Sequence, residues 1–495
     1  MSRKKKFLLN TSAGILKQII SVVCGLILPR YFLLYYGSSV NGLVSSIVNF
    51  LSFIVLLDMG VGAVVQANLY KPLADKDNDQ ISRIVKSSEL FFRRLAYIFI
   101  AYIIVLCFIF PTMVNFGAWY TVSLLLIISV STLAQYLFGM TYQLLLNADQ
   151  KSYIQLTMQI GTIVLNTIFA ILLMRKGASI HIVKLMTAVV YVLRPLGQML
   201  YVHKHYKINK KIKVVGEPIK QKWNGFSQHF AAVVCQNIDI AVLTVFSTLE
   251  SVSVYSVYYN VTNGVEQIIM TAATGLEPLF GNMIARNEKE QLLKTFCAVE
   301  WLTHAGVTIV FTVAALTIVP FVSVYTRGVN DANYITPFFG TLLVVAYGAQ
   351  CLRVPYFRVI KAAGHFKETQ NGAYISAGLN IVITIALVFR FGLNGAAIGT
   401  LVAMLYHTCY FVWYLRKNIL YRSAKHFVLY LMVDSAIAGI SYFLTNGFIE
   451  NSISYGAWVI LTIKVMGIVA VISIAVNLLA YRAQIKSMIG LLRKG

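Results

Sequence analysis

Charged residues are scarce in this sequence of 495 residues: they make up 12% of it, about half the usual share in a soluble domain. A chain so poor in charge is not a soluble globular protein of ordinary composition. Acidic residues are fewer than basic residues: 18 Asp and Glu stand against 42 Lys and Arg, which gives a formal net charge of +24. In a soluble protein, a positive excess of this size suggests binding to nucleic acid. The positions of the basic residues along the chain decide whether that interpretation applies here.

Common signatures of catalysis and metal binding are missing as well. The sequence contains no G-x-x-x-x-G-K-[ST], no G-x-S-x-G and no H-E-x-x-H, which excludes a P-loop, a nucleophile elbow and a zincin helix. The six cysteines form no C-x-x-C pair, and we interpret them as reduced packing residues. The acidic turn DKDNDQ at 75–80 begins like a calcium loop, but Gln80 and Lys86 occupy the positions where such a loop needs Gly and Glu.

Long apolar runs are what the sequence has in abundance. Runs of about 20 residues recur along almost the whole chain, and each is long enough to cross a hydrocarbon core. We therefore predict an all-α, polytopic membrane protein with fourteen transmembrane helices. The expected segments are 10–36, 40–68, 89–110, 119–146, 153–174, 180–203, 225–249, 252–284, 296–323, 334–361, 370–390, 394–416, 427–449 and 455–481.

Basic residues are concentrated in the connections on one side of the membrane. With both termini on the inner side, 33 of the 42 Lys and Arg fall in inner segments, including four in 353–367. Five lie within the spans, and the four on the outer side are Arg175, Lys176, Arg327 and Arg390. Cytoplasmic loops collect Lys and Arg, so both termini are expected in the cytoplasm. Topology explains most of the net charge, and nucleic acid is not an expected partner.

A weak internal repeat indicates two related halves. Asn166 and Asn380 lie in similar apolar segments 214 residues apart, and Tyr142 and Tyr356 share that offset. Six helices are an even number, so two copies run the same way through the bilayer and enclose a cavity between two lobes. We expect an N-lobe at 1–203, a basic cytoplasmic linker at 204–224, a C-lobe at 225–416, and two appended helices with a cytoplasmic tail at 417–495.

Ionisable residues inside the expected spans are the candidate functional residues, because they are costly in a bilayer and by default mark a pathway. Asp239 and Glu266 lie near mid-span. Glu277 follows Glu266 by eleven residues, which places both on one face of one helix, roughly 16 Å apart. Snorkelling or helix capping is the competing interpretation of Glu277.

Basic residues in the spans include Lys17 and Arg30 on the first helix and Arg194 before Pro195 on the sixth. Pro29 is expected to kink the first helix where Arg30 leaves the membrane, and contact with lipid headgroups is an alternative for Arg30. Lys464 either lines a lipid-facing groove or pairs with Asp434.

Four segments resemble Wzx-type polysaccharide flippases. LPRYFLLYYGSSVNGLVSS at 28–46 is similar to the first-loop region of that family, and LLDMGVGAVV at 56–65 to the end of its second helix. NADQKSY at 147–153 and KAAGHFKET at 361–369 resemble the turns after its helices 4 and 10. The resemblance covers nearly the full chain and its arrangement of six, six and two helices.

The resemblance implies a fold shared with multidrug exporters and the peptidoglycan-precursor flippase, within the multidrug/oligosaccharidyl-lipid/polysaccharide exporter superfamily. It implies a transporter rather than an enzyme, located in the bacterial cytoplasmic membrane. The implied substrate is an oligosaccharide on undecaprenyl diphosphate, moved from the inner to the outer leaflet for surface polysaccharide assembly. Glycan polymerase or other assembly proteins are expected partners besides membrane lipid.

Roles for individual residues follow from that substrate together with span position. Lys17, Arg30 and Arg194 are expected to contact the headgroup or diphosphate, since cationic groups suit phosphate oxygens. Expected sugar contacts are Asn49, Gln228, Tyr259 and Asn263. Asp239, Glu266 and Glu277 are candidates for coupling to a proton or sodium gradient, and no cofactor is expected.

Three other functions stay open on sequence alone. A cation-coupled multidrug exporter of the same fold would favour a cavity dominated by carboxylates. A membrane glycan polymerase or glycosyltransferase usually needs a sizeable outer loop or a cytoplasmic catalytic domain, whereas the longest outer connection here is about ten residues, 324–333. A scaffold role in a glycan-assembly complex is compatible with any of these.

Overall fold

The computed structural model describes residues 3–58, 61–209, 212, 226–448 and 454–481. Within them all secondary structure is helical, and twelve helical segments are long and apolar enough to cross a membrane. The first of these is broken at Gly37 and contains two expected segments, and the shorter apolar helix Phe230–Phe246 provides one more. The predicted all-α, polytopic membrane fold is confirmed.

The chain divides into two compact units, Met1–Val233 and Val234–Gly495, called unit 1 and unit 2 below. The helices of unit 1 are α1 Arg3–Ser52, α2 Val61–Asp75, α3 Asn78–Met113, α4 Ala118–Ala134, α5 Met140–Ala148, α6 Ser152–Arg175 and α7 Ile180–His205. Most of the linker predicted at 204–224 lies outside the described residues.

Unit 2 contains ten helices among the described residues, the first of which begins a few residues before the division. They are α8 Phe226–Phe246, α9 Leu249–Ala272, α10 Leu276–Ala285, α11 Lys289–Tyr325, α12 Pro337–Leu352, α13 Val354–Ala362, α14 Gln370–Phe391, α15 Leu393–Asn418, α16 Lys425–Thr445 and α17 Tyr455–Ala480.

A tyrosine–glutamate contact occurs in each unit at the positions that the repeat predicts. In unit 1 the Tyr142 hydroxyl donates to Glu89 Oε1 at 2.8 Å. In unit 2 the Tyr356 hydroxyl donates to Glu300. The two tyrosines are buried and separated by the 214-residue offset, and both glutamates lie on a long helix, α3 or α11. This correspondence is consistent with the predicted duplication.

One helix break agrees with the expected segments and another does not. Helix α1 continues through Pro29, and its non-helical residue is Gly37, with φ of 79° and ψ of 176°. Glycine adopts such a positive φ without steric cost, and this break lies between the expected segments 10–36 and 40–68. Arg30 lies inside the helix, and its position relative to the membrane stays a prediction. The predicted helix 252–284 is interrupted by a 3₁₀ turn, Ala273–Gly275, between α9 and α10.

The appended helices α16 and α17 are fastened to α11 by polar side chains. Trp301 Nε1 donates to Asn477 Oδ1 at 2.9 Å, and Trp458 Nε1 donates to the Thr317 carbonyl at 3.1 Å. Such interhelical hydrogen bonds add to van der Waals packing where water is absent. The appended helices are therefore part of unit 2.

Asp434 of α16 completes this attachment. Its carboxylate accepts from His304 Nδ1 and from Thr308 Oγ1, each at 2.6 Å. Lys464 is exposed and makes no ion pair with Asp434. Of the two alternatives for Lys464, pairing with Asp434 is excluded.

Candidate functional site

Unit 1 contains cationic side chains within its helices that have no carboxylate partner. Lys17 on α1, and Lys184 and Arg194 on α7, are all partly buried. In the described residues none of them lies within 4 Å of a carboxylate, whereas Lys6 and Lys151, near one end of the unit, both pair with Asp149. Lys184 Nζ lies 4.1 Å from the centre of the Phe32 ring, a cation–π contact. A cation in a membrane normally pairs or faces a polar cavity.

Arg194 is the most constrained of these cations. Its Nη2 donates to Gln135 Oε1 at 3.0 Å, and its buried Nε has no acceptor in the described part of the chain. One turn later on α7, the fully buried amide of Gln198 has no hydrogen-bond partner there either. Arg194 therefore presents a charged group with at least one unused donor, next to neutral amides.

The other two predicted headgroup contacts, Lys17 and Arg30, both lie on α1 and are partly buried. Thirteen residues separate them, which is about 20 Å along a helix at 1.5 Å per residue. They would therefore contact different parts of any single ligand. Asn49, a predicted sugar contact, lies on α1 beyond the Gly37 break and is buried.

Asp239 on α8 is a deeply buried carboxylate of unit 2, with 2% of its surface exposed. Its Oδ2 accepts from Tyr255 at 2.7 Å and from Thr400 at 2.5 Å. Its Oδ1 has no donor among the described residues. A buried carboxylate with one unused oxygen and no basic partner can take up a proton or coordinate a small cation.

Thr384, one of the buried polar side chains on α14, lies beside Asp239. Thr384 Oγ1 donates to Asn380 Oδ1 at 3.1 Å, and both side chains are fully buried on α14. Hydroxyl and amide oxygens of this kind suit hard cations and not soft transition metals. The described residues contain no group of three or more His, Cys, Asp or Glu that could hold a metal.

Glu266 on α9 is also buried, with 4% of its surface exposed. Its Oε1 accepts from Gln350 Nε2 at 2.6 Å. Arg353 interacts electrostatically with Glu266, but the Arg353 guanidinium donates through Nη1 to His407 Nδ1 at 2.7 Å. Because arginine can only donate, His407 must accept at Nδ1 and is a neutral imidazole. Each of these buried charges thus has a neutral partner.

Glu277 lies in a different environment. Its Oε2 is 3.0 Å from Lys361 Nζ and 3.3 Å from Arg358 Nη1, and its side chain is 31% exposed. Two cations already neutralise it, and the 3₁₀ turn separates it from the helix that carries Glu266. The predicted single helix is therefore divided at Ala273–Gly275, and the expectation that both glutamates share one face stays a prediction.

The predicted sugar contacts in unit 2 are partly brought together. Asn263 Nδ2 donates to the Tyr259 hydroxyl at 2.9 Å, and the Tyr259 ring packs edge-to-face on Tyr347, with centroids 5.9 Å apart. Both Tyr259 and Asn263 are partly exposed. Gln228 belongs to α8, but its side chain lies outside the described residues.

Several polar residues at these sites were not predicted. Arg353 was assigned to a cytoplasmic segment, yet it lies at the junction of α12 and α13 and bonds to His407. Pro355, two residues later, is the sequence signal for that junction. Thr400, Tyr255, Gln350 and Gln135 are uncharged, so a search for intramembrane charge passes over them.

No family model and no curated relative matches this chain. Solved structures do match. A structure of the lipid II flippase MurJ in an inward closed conformation has a TM-score of 0.70 at 16% identity, and the match covers 97% of this chain and 100% of that one. An inward-facing multidrug resistance MATE family transporter of the MOP superfamily has a TM-score of 0.63 at 13% identity, covering 81% and 96%.

The bent form of the Vibrio cholerae MATE transporter VcmN has a TM-score of 0.54 at 13% identity and covers 85% of this chain and 98% of its own. At such identities a likeness establishes the fold alone. The chain therefore has the fold shared by the lipid II flippase MurJ and the MATE transporters of the MOP superfamily.

Proposed function

We propose that this chain is a flippase that moves undecaprenyl-diphosphate-linked oligosaccharide from the inner to the outer leaflet of the bacterial cytoplasmic membrane, with both termini in the cytoplasm. It moves its substrate without converting it chemically. The observation that carries this proposal is the partly buried Arg194 guanidinium, which has a neutral amide as partner and no carboxylate within 4 Å in the described residues. The likeness of the fold to that of the lipid II flippase MurJ supports the proposal.

The chemistry of the substrate matches this arrangement. A diphosphate brings negative charge into the membrane, where a buried charge is costly unless it is paired. Arginine binds phosphate oxygens through short, charge-assisted hydrogen bonds. Lys17 and Arg30 on α1 add two further cations at separate levels. Unit 1 thus carries charge of the sign that a diphosphate needs.

The oligosaccharide requires a different surface. Tyr259 and Asn263 offer a hydroxyl, an amide and an aromatic face at a partly exposed position on α9. The hydroxyl and the amide can hydrogen-bond to sugar hydroxyls, while the aromatic ring packs against the apolar face of a sugar. With Asn49 and Gln228 they are the proposed sugar contacts. Polymerase or assembly proteins that receive the flipped unit are the proposed partners.

Asp239 and Glu266 are the proposed coupling residues. Each is buried, each is held by uncharged donors, and neither has a basic partner within 4 Å in the described part of unit 2. A proton or sodium ion that binds there removes a buried charge, which lowers the free energy of one conformation relative to another. Glu277 is left out because Lys361 and Arg358 already neutralise it.

A cation-coupled multidrug exporter is the second candidate. The MATE fold and the buried carboxylates of unit 2 favour it. The two candidates differ at Arg194, since a cationic drug gains nothing from an unpaired guanidinium. Loss of Arg194 should therefore leave drug export intact and stop export of an anionic lipid.

The test uses cells that depend on this chain for surface polysaccharide. Arg194→Gln should abolish surface polysaccharide and cause the lipid-linked precursor to accumulate at normal protein level. Arg390→Gln, at the end of α14, is a matched control and should behave like wild type. Normal polysaccharide in the Arg194→Gln strain, or loss of drug resistance in place of precursor accumulation, would contradict the flippase proposal.

A further inference from the structure

The helix formed by α4 and α5 contains one turn of π-helix, Gln135–Gly139. The backbone N–H of Met140 donates to the Gln135 carbonyl, five residues earlier rather than four. Isolated π turns are rare and occur frequently at functional sites. This turn packs against α7, the helix that carries Arg194.

The side chain of Gln135 is fixed at both ends of its amide. Oε1 accepts from Arg194 Nη2 at 3.0 Å, and Nε2 donates to Gln143 Oε1 at 3.1 Å. Because an arginine can only donate, the amide oxygen must face Arg194 and the amide nitrogen must face Gln143. The amide therefore has a single orientation, and it holds one nitrogen of the guanidinium in place.

Gly139 makes room for this amide. A Cβ added at Gly139 would lie 2.7 Å from both Cδ and Oε1 of Gln135 and 2.8 Å from its Nε2. These distances are far below van der Waals contact, so any larger residue displaces the Gln135 side chain. The π turn and the glycine together define the position of Gln135.

We propose that Gln135 is a positioning residue that presents Arg194 to the phosphate groups of the lipid substrate while leaving its charge uncompensated. This inference rests on the proposed flippase function. A glutamate at 135 would hold the guanidinium equally well but would neutralise it, so the neutral amide is the essential feature. Arg194 keeps further guanidinium N–H donors for phosphate oxygens, because its one side-chain hydrogen bond among the described residues uses a single donor on Nη2. The buried Nε–H also has no acceptor in that part of the chain.

The experiment measures binding of undecaprenyl diphosphate to the purified full-length chain in nanodiscs, with undecaprenol as the uncharged control lipid. Gln135→Glu should weaken diphosphate-lipid binding at least 10-fold while its Tm stays equal to or above that of wild type. Gln135→Ala and Gly139→Ala should weaken it less, because the guanidinium keeps its charge but loses its fixed position. Gly161→Ala on α6, where an added Cβ meets nothing within 4 Å, should bind like wild type.

Undecaprenol affinity distinguishes positioning from a general structural role. A structural role predicts that every variant loses affinity for both lipids, whereas positioning predicts that only the diphosphate lipid is affected. Equal diphosphate-lipid affinity for Gln135→Glu and wild type would overturn the inference, as would wild type that binds no undecaprenyl diphosphate. If Arg194→Gln alone loses binding and flipping, the positioning role fails and the flippase function stands. If the binding pattern holds but wild type does not flip the lipid-linked oligosaccharide, the function fails separately.

Discussion

Replacing Gly399 by alanine should separate α14 from α15 and disturb Asp239 at the same time. Gly395 and Gly399 lie one turn apart on α15, as in the small-residue patterns that let membrane helices approach closely. A Cβ at Gly399 would lie 2.1 Å from Thr384 Oγ1 and 2.8 Å from the Thr384 backbone nitrogen. Rotation of the Thr384 side chain relieves the first contact, but only helix movement relieves the second.

The size of the effect follows from those distances. Restoring ordinary contact with the backbone nitrogen requires a shift of roughly 0.5 Å, and overpacking of this kind costs about 1–3 kcal/mol. Replacing glycine by alanine within a helix returns up to about 1 kcal/mol. The difference is a net loss of about 0–3 kcal/mol. A loss of about 1–2 kcal/mol, in the middle of that range, lowers the Tm of a unit of this size by roughly 2–8 °C.

Thermal unfolding of the purified protein measures this loss, with Gly378→Ala as the matched control. Gly378 lies on α14, where an added Cβ meets nothing within 4 Å, so that variant should be at least as stable as wild type. Thr400, which follows Gly399, donates to Asp239, so Gly399→Ala should also weaken the dependence of transport on the ion gradient. Equal Tm values for the two alanine variants would refute the packing argument.

Three further predictions concern buried or paired charges. Arg422→Ala should lower the free energy of unfolding, measured by chemical denaturation, by about 3–5 kcal/mol. The reason is that it leaves Glu300, which is 2% exposed, without its cation. Adding Glu300→Gln should restore most of that loss, and a double variant as unstable as Arg422→Ala would show that the ion pair does not explain the loss. Burial alone would raise the pKa of Asp149, but hydrogen bonds from neighbouring cations and a tyrosine hold it below its usual value. The stability that ionised Asp149 contributes is therefore complete above about pH 4, its pKa in the unfolded chain, and is lost as pH falls through its lower pKa in the folded chain. Asp149→Asn should reduce the fall in Tm that wild type shows at acidic pH. An equal fall in Tm for variant and wild type would contradict this prediction. Asp239→Asn should abolish the dependence of transport on a proton or sodium gradient in vesicles, while Glu277→Gln should retain it; full gradient dependence in Asp239→Asn would remove that residue from coupling.

The helical membrane fold was predictable because apolar runs of the length of a bilayer leave few other solutions. Asp239 and Glu266 could be identified as candidate residues from the sequence, because each is a charged residue within an apolar run. Their buried, uncharged surroundings follow from helix packing that the sequence does not display.

The remaining parts of the site depend on irregular backbone. Glu277 was grouped with Glu266 as part of one helix, whereas a 3₁₀ turn divides that helix and Glu277 pairs with Lys361 and Arg358. Gln135 carries no charge, and its role depends on a π turn for which the sequence has no clear signal. Such turns are decided by a few contacts with neighbouring helices, so residues that depend on them are found only in the folded chain.

The most direct measurement of the central claim is leaflet exchange in vesicles that contain only this protein. A fluorescent undecaprenyl-diphosphate-linked oligosaccharide is reconstituted symmetrically, and a membrane-impermeant quencher reports the fraction that reaches the outer leaflet. Wild type and Arg390→Gln should expose nearly all of the lipid within minutes, while Arg194→Gln should stay at the half-protected level of protein-free vesicles. Wild-type vesicles that remain half-protected, or Arg194→Gln vesicles that exchange at the wild-type rate, would contradict the account.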